Sequence, residues 1–174
     1  MLRLGLLSAA VMRRCVSRFN LYIRVDSCIM KVAVACNQEN VVFPGHFAHA
    51  PKFRIYMYEG GQLKLLEERT NPLGSVPDYD EHHHHHHHEI GVMNTDFQGE
   101  EAPPAHGLPK YQWLRDKVLP DVDVVIAAGA CQTSYRFFTS SGVKMLFTDP
   151  VEVSTLEEYI ASDPGSFEEA LSQA

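Results

Sequence analysis

DVDVVIAAGACQTSYRFFTSSGVKMLF, residues 121–147, contains three segments with different hydrophobic patterns. Residues 122–127 are a short β-branched run that ends in small residues, which predicts a buried strand. CQTSYRFFTSS, followed by Gly142, predicts a helix of about three turns with a glycine near its carboxyl end. Residues 143–147 predict a further strand. A strand, a helix and a strand at this spacing indicate parallel pairing through a right-handed crossover.

The segments before this stretch predict three strands and a helix. KVAVAC, residues 31–36, is short and apolar and predicts a buried first strand. KFRIYMYE and LKLLEER, residues 52–59 and 63–69, are separated by two glycines, a hairpin signal that predicts antiparallel neighbours. Residues 108–119 have apolar side chains at helical spacing and are followed by Pro120, which predicts a helix that ends there.

One more helix is predicted after the stretch, at residues 154–162. Ser154 or Thr155 is expected as its N-cap, and Glu157 or Glu158 completes a capping box. The sum is an α/β fold with a five-stranded mixed sheet, in which a leading antiparallel hairpin is followed by β-α-β crossovers and flanking helices. This order of elements is the one found in ribonuclease H-like folds.

Composition divides the 174 residues into one domain and its extensions. Residues 30–162 hold all of the predicted elements and form the expected domain. Residues 1–29 are rich in arginine and poor in acids, so we expect an N-terminal extension outside the fold, with a targeting segment as the alternative. Residues 71–107 are rich in proline, glycine and histidine and predict a long loop. Residues 163–174 are expected to be a C-terminal tail.

Charge and apolar content exclude two classes of partner. The net charge of -7 argues against nucleic acid, because such binding requires a basic surface. No run of 18 apolar residues occurs, so no membrane span is expected. The four cysteines form no CxxC pair, which favours reduced thiols in a cytoplasmic protein.

Several enzyme classes lack their usual sequence signatures. The first strand carries no carboxylate for two-metal phosphoryl cleavage, and Asp121 and Asp123 enter their strand rather than leave it. The turn AAGAC matches neither a dinucleotide fingerprint nor a nucleoside triphosphate loop, and no Gly-x-Ser-x-Gly occurs. We therefore expect a protein that is not an enzyme.

Thiol and imidazole side chains do collect near the carboxyl ends of the predicted strands. The candidates are Cys36, His46, His49, His106 and the turn Gly129, Ala130 and Cys131. Such ligands suit zinc, copper, nickel, iron or an iron-sulfur species, and a cysteine at a helix N-terminus has its thiolate favoured. The alternatives are that Cys36 is a small buried hydrophobe and that the two loop histidines are spaced by chance.

From Met30 to about Ser162 the chain resembles the dinitrogenase iron-molybdenum cofactor biosynthesis family. The resemblance runs through MKVAVACNQE, GHFAHAPKFRIYMYEGGQL, DVDVVIAAGA and SSGVKML, with His46-Phe47 on the family's His-Phe-Gly motif. Two positions depart from the pattern: Ala48 replaces a glycine, and Cys131 replaces the second glycine of a Gly-x-Gly turn. The resemblance implies a ribonuclease H-like domain that binds or carries a metal-sulfur cofactor, with metal-cofactor assembly or recipient proteins as partners.

The predicted loop also contains seven consecutive histidines between Glu81 and Glu89. These metal-binding candidates are His82, His83, His84, His85, His86, His87 and His88. Adjacent imidazoles in an acid-flanked loop can bind nickel, zinc or copper in overlapping ways, which suits capture or transfer of a metal. The alternative is a solvated linker that binds metal without a biological purpose.

Two functions follow from these observations. The first is a non-enzymatic carrier of a metal-sulfur cofactor or its precursor, of the iron-molybdenum type, held by His46, His49 and the turn at Gly129–Cys131. The second is a metal chaperone or buffer that acts through the histidine run.

Overall fold

The computed structural model describes residues 29–76 and 102–174. Residues 1–28 of the predicted extension and most of the predicted loop, including the histidine run, lie outside the described residues. The elements of the described part are β1 Met30–Cys36, β2 Lys52–Glu59, β3 Gln62–Thr70, α1 Gly107–Lys117, β4 Val124–Ala127, α2 Gln132–Ser140, β5 Lys144–Phe147, α3 Val153–Ser162 and α4 Pro164–Gln173.

The five strands form one mixed sheet in the order β3-β2-β1-β4-β5. The pairs β1–β2 and β2–β3 are antiparallel, whereas β1–β4 and β4–β5 are parallel. The prediction of an α/β fold with a leading hairpin and a five-stranded mixed sheet is therefore confirmed. The ribonuclease H-like label stays a prediction, since it was taken from the order of the elements.

Strand alternation in β1 and β4 supplies two apolar faces, because successive side chains point to opposite sides of the sheet. Ala33, Ala35, Val125 and Ala127 join a core with residues of α1 and α2. Val32, Val34 and their neighbours in β4 join a second core with residues of α3 and α4. Within the described ranges, no helix is long and apolar enough to cross a membrane.

The predicted capping box of α3 is wrong. The helix begins at Val153, one residue earlier than expected, and Glu152 at the cap position makes no side-chain cap bond. The Val153 N–H instead donates to the carbonyl of Asn40 at 2.8 Å. Glu157 is occupied elsewhere, since it accepts a hydrogen bond from the Tyr56 hydroxyl. A contact with Asn40, which is distant in sequence, thus replaces a local cap at the start of α3.

Residues 163–174, expected as a tail, contain the helix α4. Asp163 caps it by accepting from the Ser166 N–H at 3.2 Å, and Pro164 occupies the first turn, where a missing N–H costs nothing. Phe167 and Leu171 lie one turn apart and are both buried against the sheet. The segment is a packed part of the domain.

The two aspartates just before β4 make contacts that stabilise the fold. Asp121 accepts from Arg69 at 2.7 Å and pairs with Lys31, and these contacts hold the pKa of its carboxyl well below its usual range. Asp123 accepts from the backbone N–H of Lys31 at 2.9 Å. These carboxylates join the start of β4 to β1 and β3.

Truncation of Phe167 tests whether α4 stabilises the domain. The Phe167 ring is 6% exposed and packs on Tyr58 with 4.9 Å between ring centroids, so Phe167→Ala should lower the free energy of unfolding by about 3–5 kcal/mol. Tyr159→Ala on α3 removes a ring that is 57% exposed and should change it by less than about 0.5 kcal/mol. Urea unfolding followed by circular dichroism measures both values. Equal effects would mean that α4 does not contribute to the core.

Candidate functional site

A backbone contact brings the loop after β1 to the turn after β4. The N–H of Phe47 donates to the carbonyl of Gly129 at 2.9 Å, and His46 and Gly129 form an isolated parallel bridge. A Cβ atom at position 129 would lie 3.2 Å from the carbonyl oxygen of Gly45, a tight contact, so glycine at this position helps the two segments to approach closely. His46 is thereby placed beside the start of α2.

Cys131 is the N-cap of α2, and its half-buried thiol has several polar neighbours, one of which is the Ser134 hydroxyl oxygen, to which Sγ donates at 3.4 Å. The Tyr111 hydroxyl is 3.1 Å from Sγ, and the Ser134 N–H donates to Sγ at 3.4 Å. Burial by itself would raise the pKa of the Cys131 thiol, but hydrogen bonds from Ser134, Tyr111 and the Thr133 backbone outweigh it and lower that pKa. The site therefore favours a thiolate.

His46 contributes a proton donor to this cluster. Its Nδ1 accepts from the Ala48 N–H at 3.2 Å, so in the neutral ring the proton is on Nε2. Nε2 is 3.2 Å from the Ser134 hydroxyl oxygen and 3.5 Å from the Tyr111 hydroxyl oxygen. Metal ligation through Nε2 would require the proton to move to Nδ1, where it would face the Ala48 N–H. In this arrangement His46 donates a hydrogen bond and does not offer a ligand lone pair.

Sequence reasoning missed Tyr111 and Ser134, which touch both Cys131 and His46. Tyr111 is 1% exposed and stacks on the His46 ring, with 5.7 Å between centroids. In the sequence, Tyr111 lies on the apolar face of the helix predicted at residues 108–119, and this position indicates only a core residue. Ser134 is three residues after the N-cap, the position from which a backbone N–H reaches a capping side chain.

His49 was expected as a ligand, but both of its ring nitrogens have protein partners. Nδ1 lies 3.1 Å from the carbonyl oxygen of Leu73 and 3.0 Å from that of Val76, so it carries the proton. Nε2 is the acceptor for Lys110 Nζ at 3.1 Å. His49 thus joins three segments of the chain, and its role in holding a cofactor stays a prediction.

The structure does not bring Cys36 to this cluster. Cys36 is fully buried in the core that contains α3 and α4, whereas Tyr111 belongs to the core on the other face of the sheet. Its thiol lies 3.9 Å from the Lys52 carbonyl oxygen, and burial raises the pKa of the thiol. The alternative interpretation of Cys36, a small buried hydrophobe, agrees with this environment.

His106, Gly129 and Ala130 complete the predicted set. His106 is the exposed N-cap residue of α1, and Gly129 and Ala130 form the half-buried turn that leads to Cys131. Across residues 29–76 and 102–174, no group of three or more His, Cys, Asp or Glu side chains could hold a metal ion. The metal candidates His82–His88 lie outside the described residues.

A groove of about 390 Å³ begins one residue beyond Cys131, between the start of α1 and the outer side of α2. Its lining residues are Leu108, Gln132, Thr133, Arg136, Phe137 and Ser140. A thiol at the N-terminus of a helix fits a cluster that already carries its own sulfide ligands, because one thiolate and the positive end of the helix can anchor such an anion. It does not fit a bare divalent ion, which requires several protein ligands.

A family model described as dinitrogenase iron-molybdenum cofactor matches residues 29–162. A solved structure described as the crystal structure of PH0822 is 16% identical, covers 76% of this chain and 92% of its own, and has a TM-score of 0.47. No curated protein matches the chain.

The thiol of Cys131 should titrate below an ordinary cysteine thiol, whose pKa is about 8.5. Iodoacetamide modification at a series of pH values, read peptide by peptide by mass spectrometry, measures this pKa separately from those of the other cysteines. Because the Tyr111 hydroxyl favours the thiolate, Tyr111→Phe should move the midpoint to higher pH. Cys36 should stay unmodified in the folded protein. A Cys131 midpoint equal to that in urea would contradict the arrangement.

Proposed function

This chain belongs to the dinitrogenase iron-molybdenum cofactor family, and we propose that it binds a metal-sulfur cofactor or its precursor through Cys131 and carries it without catalysis. Family membership associates the chain with a cofactor system of the iron-molybdenum type. The proteins that assemble the cofactor or receive it are the proposed partners.

The observation that carries this proposal is the environment of the Cys131 thiol. It sits at the N-terminus of α2 and contacts the Tyr111 hydroxyl and the Ser134 N–H, while His46 Nε2 contacts the Ser134 hydroxyl oxygen. Hydrogen-bond donors and a helix N-terminus favour negative charge on a ligand as well as on the thiolate. A thiolate is also the soft ligand that iron, copper and molybdenum-sulfur species accept. The expected cargo is therefore an anionic cluster held through one cysteine.

A carrier role is supported over a cysteine-nucleophile enzyme by the state of His46. A general base must accept the thiol proton within hydrogen-bond reach. The acceptor nitrogen of His46 is Nδ1, which accepts from the Ala48 N–H, while Nε2 contacts the hydroxyls of Tyr111 and Ser134, which lie between it and Cys131. A single protein ligand also leaves the remaining positions of a cluster open to a recipient protein.

Metal and sulfide analysis tests the proposal. Protein purified without oxygen, with residues 82–88 replaced by a Gly/Ser linker, is incubated with tetrathiomolybdate and ferrous iron and desalted. We expect bound molybdenum or iron together with acid-labile sulfide and a visible absorption band. Cys131→Ser should lose most of it, because it removes the ligand, and Tyr111→Phe should weaken binding by roughly tenfold.

Cys36→Ser is the matched control, since it replaces a thiol on the other face of the sheet and should leave binding unchanged. Equal metal and sulfide in the Cys131→Ser and unsubstituted proteins would reject the site. Protein that takes up only zinc or nickel, and only when the histidine run is restored, would support the chaperone function instead.

A further inference from the structure

Lys110 is a fully buried lysine next to the candidate site. Its side chain is 0% exposed, its Nζ lies 3.1 Å from His49 Nε2, and it lies over the Tyr111 ring, 5.1 Å from the centroid. A buried charge requires compensating polar contacts to be tolerated. The proposed binding of a cofactor assigns no part to Lys110 or to His49.

The tautomer of His49 fixes the position of this ammonium group. Because Nδ1–H is directed at the carbonyls of Leu73 and Val76, the lone pair of Nε2 is directed at Lys110. The His49 ring is 8% exposed, so water competes little for either contact. His49 thus holds a positive charge in a defined place relative to α1.

The Lys110 ammonium group lies over the ring of Tyr111, which belongs to the candidate site. The Tyr111 ring has the Lys110 ammonium group over it, stacks on the His46 ring, and has its hydroxyl 3.1 Å from Cys131 Sγ. A cation near the face of an aromatic ring is attracted to the negative charge of the π system. It also draws electron density away from the phenol oxygen, which makes the O–H a stronger hydrogen-bond donor.

We propose that Lys110 and His49 are positioning residues: Lys110 strengthens the hydrogen bond from the Tyr111 hydroxyl to Cys131, and His49 holds the Lys110 ammonium group over the ring. The effect on cargo affinity rests on the proposed function. The effect on the hydrogen bond does not, so the two are tested separately.

The hydrogen bond between Tyr111 and Cys131 is monitored by the 13C chemical shift of the Tyr111 ζ carbon. The protein is labelled with 13C at the ζ carbon of tyrosine and studied by NMR. The Tyr111 signal is identified by its loss in Tyr111→Phe, and Cys131→Ala gives the shift that follows loss of the acceptor. Lys110→Met should move the signal in the same direction as Cys131→Ala, whereas Lys110→Arg, which keeps the charge, should restore most of the original position. A Tyr111 signal that stays in place in folded Lys110→Met would overturn the proposal.

His49 variants provide a second test that leaves Lys110 unchanged. His49→Leu removes the imidazole acceptor 3.1 Å from Lys110 Nζ and should shift the Tyr111 signal in the same direction as Lys110→Met, and the double variant should shift it no further than Lys110→Met alone. His49→Gln keeps an acceptor oxygen and should shift it less. Additive shifts in the double variant would mean that the two residues act independently, which contradicts the proposal. Circular dichroism of each variant establishes that it is folded.

Cargo affinity is then measured with tetrathiomolybdate and ferrous iron in two backgrounds. Lys110→Met should weaken binding several-fold when Tyr111 is present and should have no effect in the Tyr111→Phe protein. An equal effect in both backgrounds would mean that Lys110 acts directly on the anion and would overturn its action through Tyr111. If the unsubstituted protein binds no cluster, the proposed function fails, while the NMR result still decides the positioning role.

Discussion

The candidate site depends on the hydrogen bond from the Phe47 N–H to the carbonyl of Gly129. It joins the long connection after β1 to the turn after β4, so side chains far apart in sequence meet at the carboxyl edge of two parallel strands, the usual place for ligands in such sheets. Asn71 secures the other side of the connection, since its Nδ2 donates to the carbonyls of Ala48 and Ala50 at 2.8 Å. These backbone contacts, together with the contacts of the His46 ring to Tyr111 and Ser134, hold His46 beside Cys131.

Strand alternation decides which thiol belongs to the site. Ala35 and Cys36 are consecutive residues of β1, yet they belong to the cores on opposite faces of the sheet. The pairing of β1 with both β2 and β4 prevents a slip that would exchange the two faces. Cys131, in contrast, is outside any strand, and its side chain is directed by the start of α2. The two described cysteines therefore have opposite environments, and their pKa values shift in opposite directions.

The strands and most helices could be predicted because hydrophobic periodicity and turn residues are local signals. α4 carries local signals of the same kind in Asp163, Pro164 and the spacing of Phe167 and Leu171, although these residues were expected to form a tail. The roles of the histidines could not be predicted, because they depend on which backbone groups face each ring nitrogen. For His49 those groups are the carbonyls of residues 73 and 76, which belong to a turn inside what the sequence presents as a loop.

The contacts that stabilise the Cys131 thiolate also limit how strongly it can hold a metal. A sulfur that accepts hydrogen bonds from Tyr111 and Ser134 has less electron density to give to a cluster, and such bonds tune the properties of sulfur-ligated metals generally. The site therefore combines a lowered pKa of the Cys131 thiol with a reduced electron density on its sulfur, and the predicted loss of binding in Tyr111→Phe means that the first effect outweighs the second. A carrier requires both, because it must accept a cluster from one protein and release it to another. The buried Lys110 has the same two effects, because its charge strengthens the hydrogen bond that Tyr111 donates to Cys131. Lys110 itself adds no metal ligand.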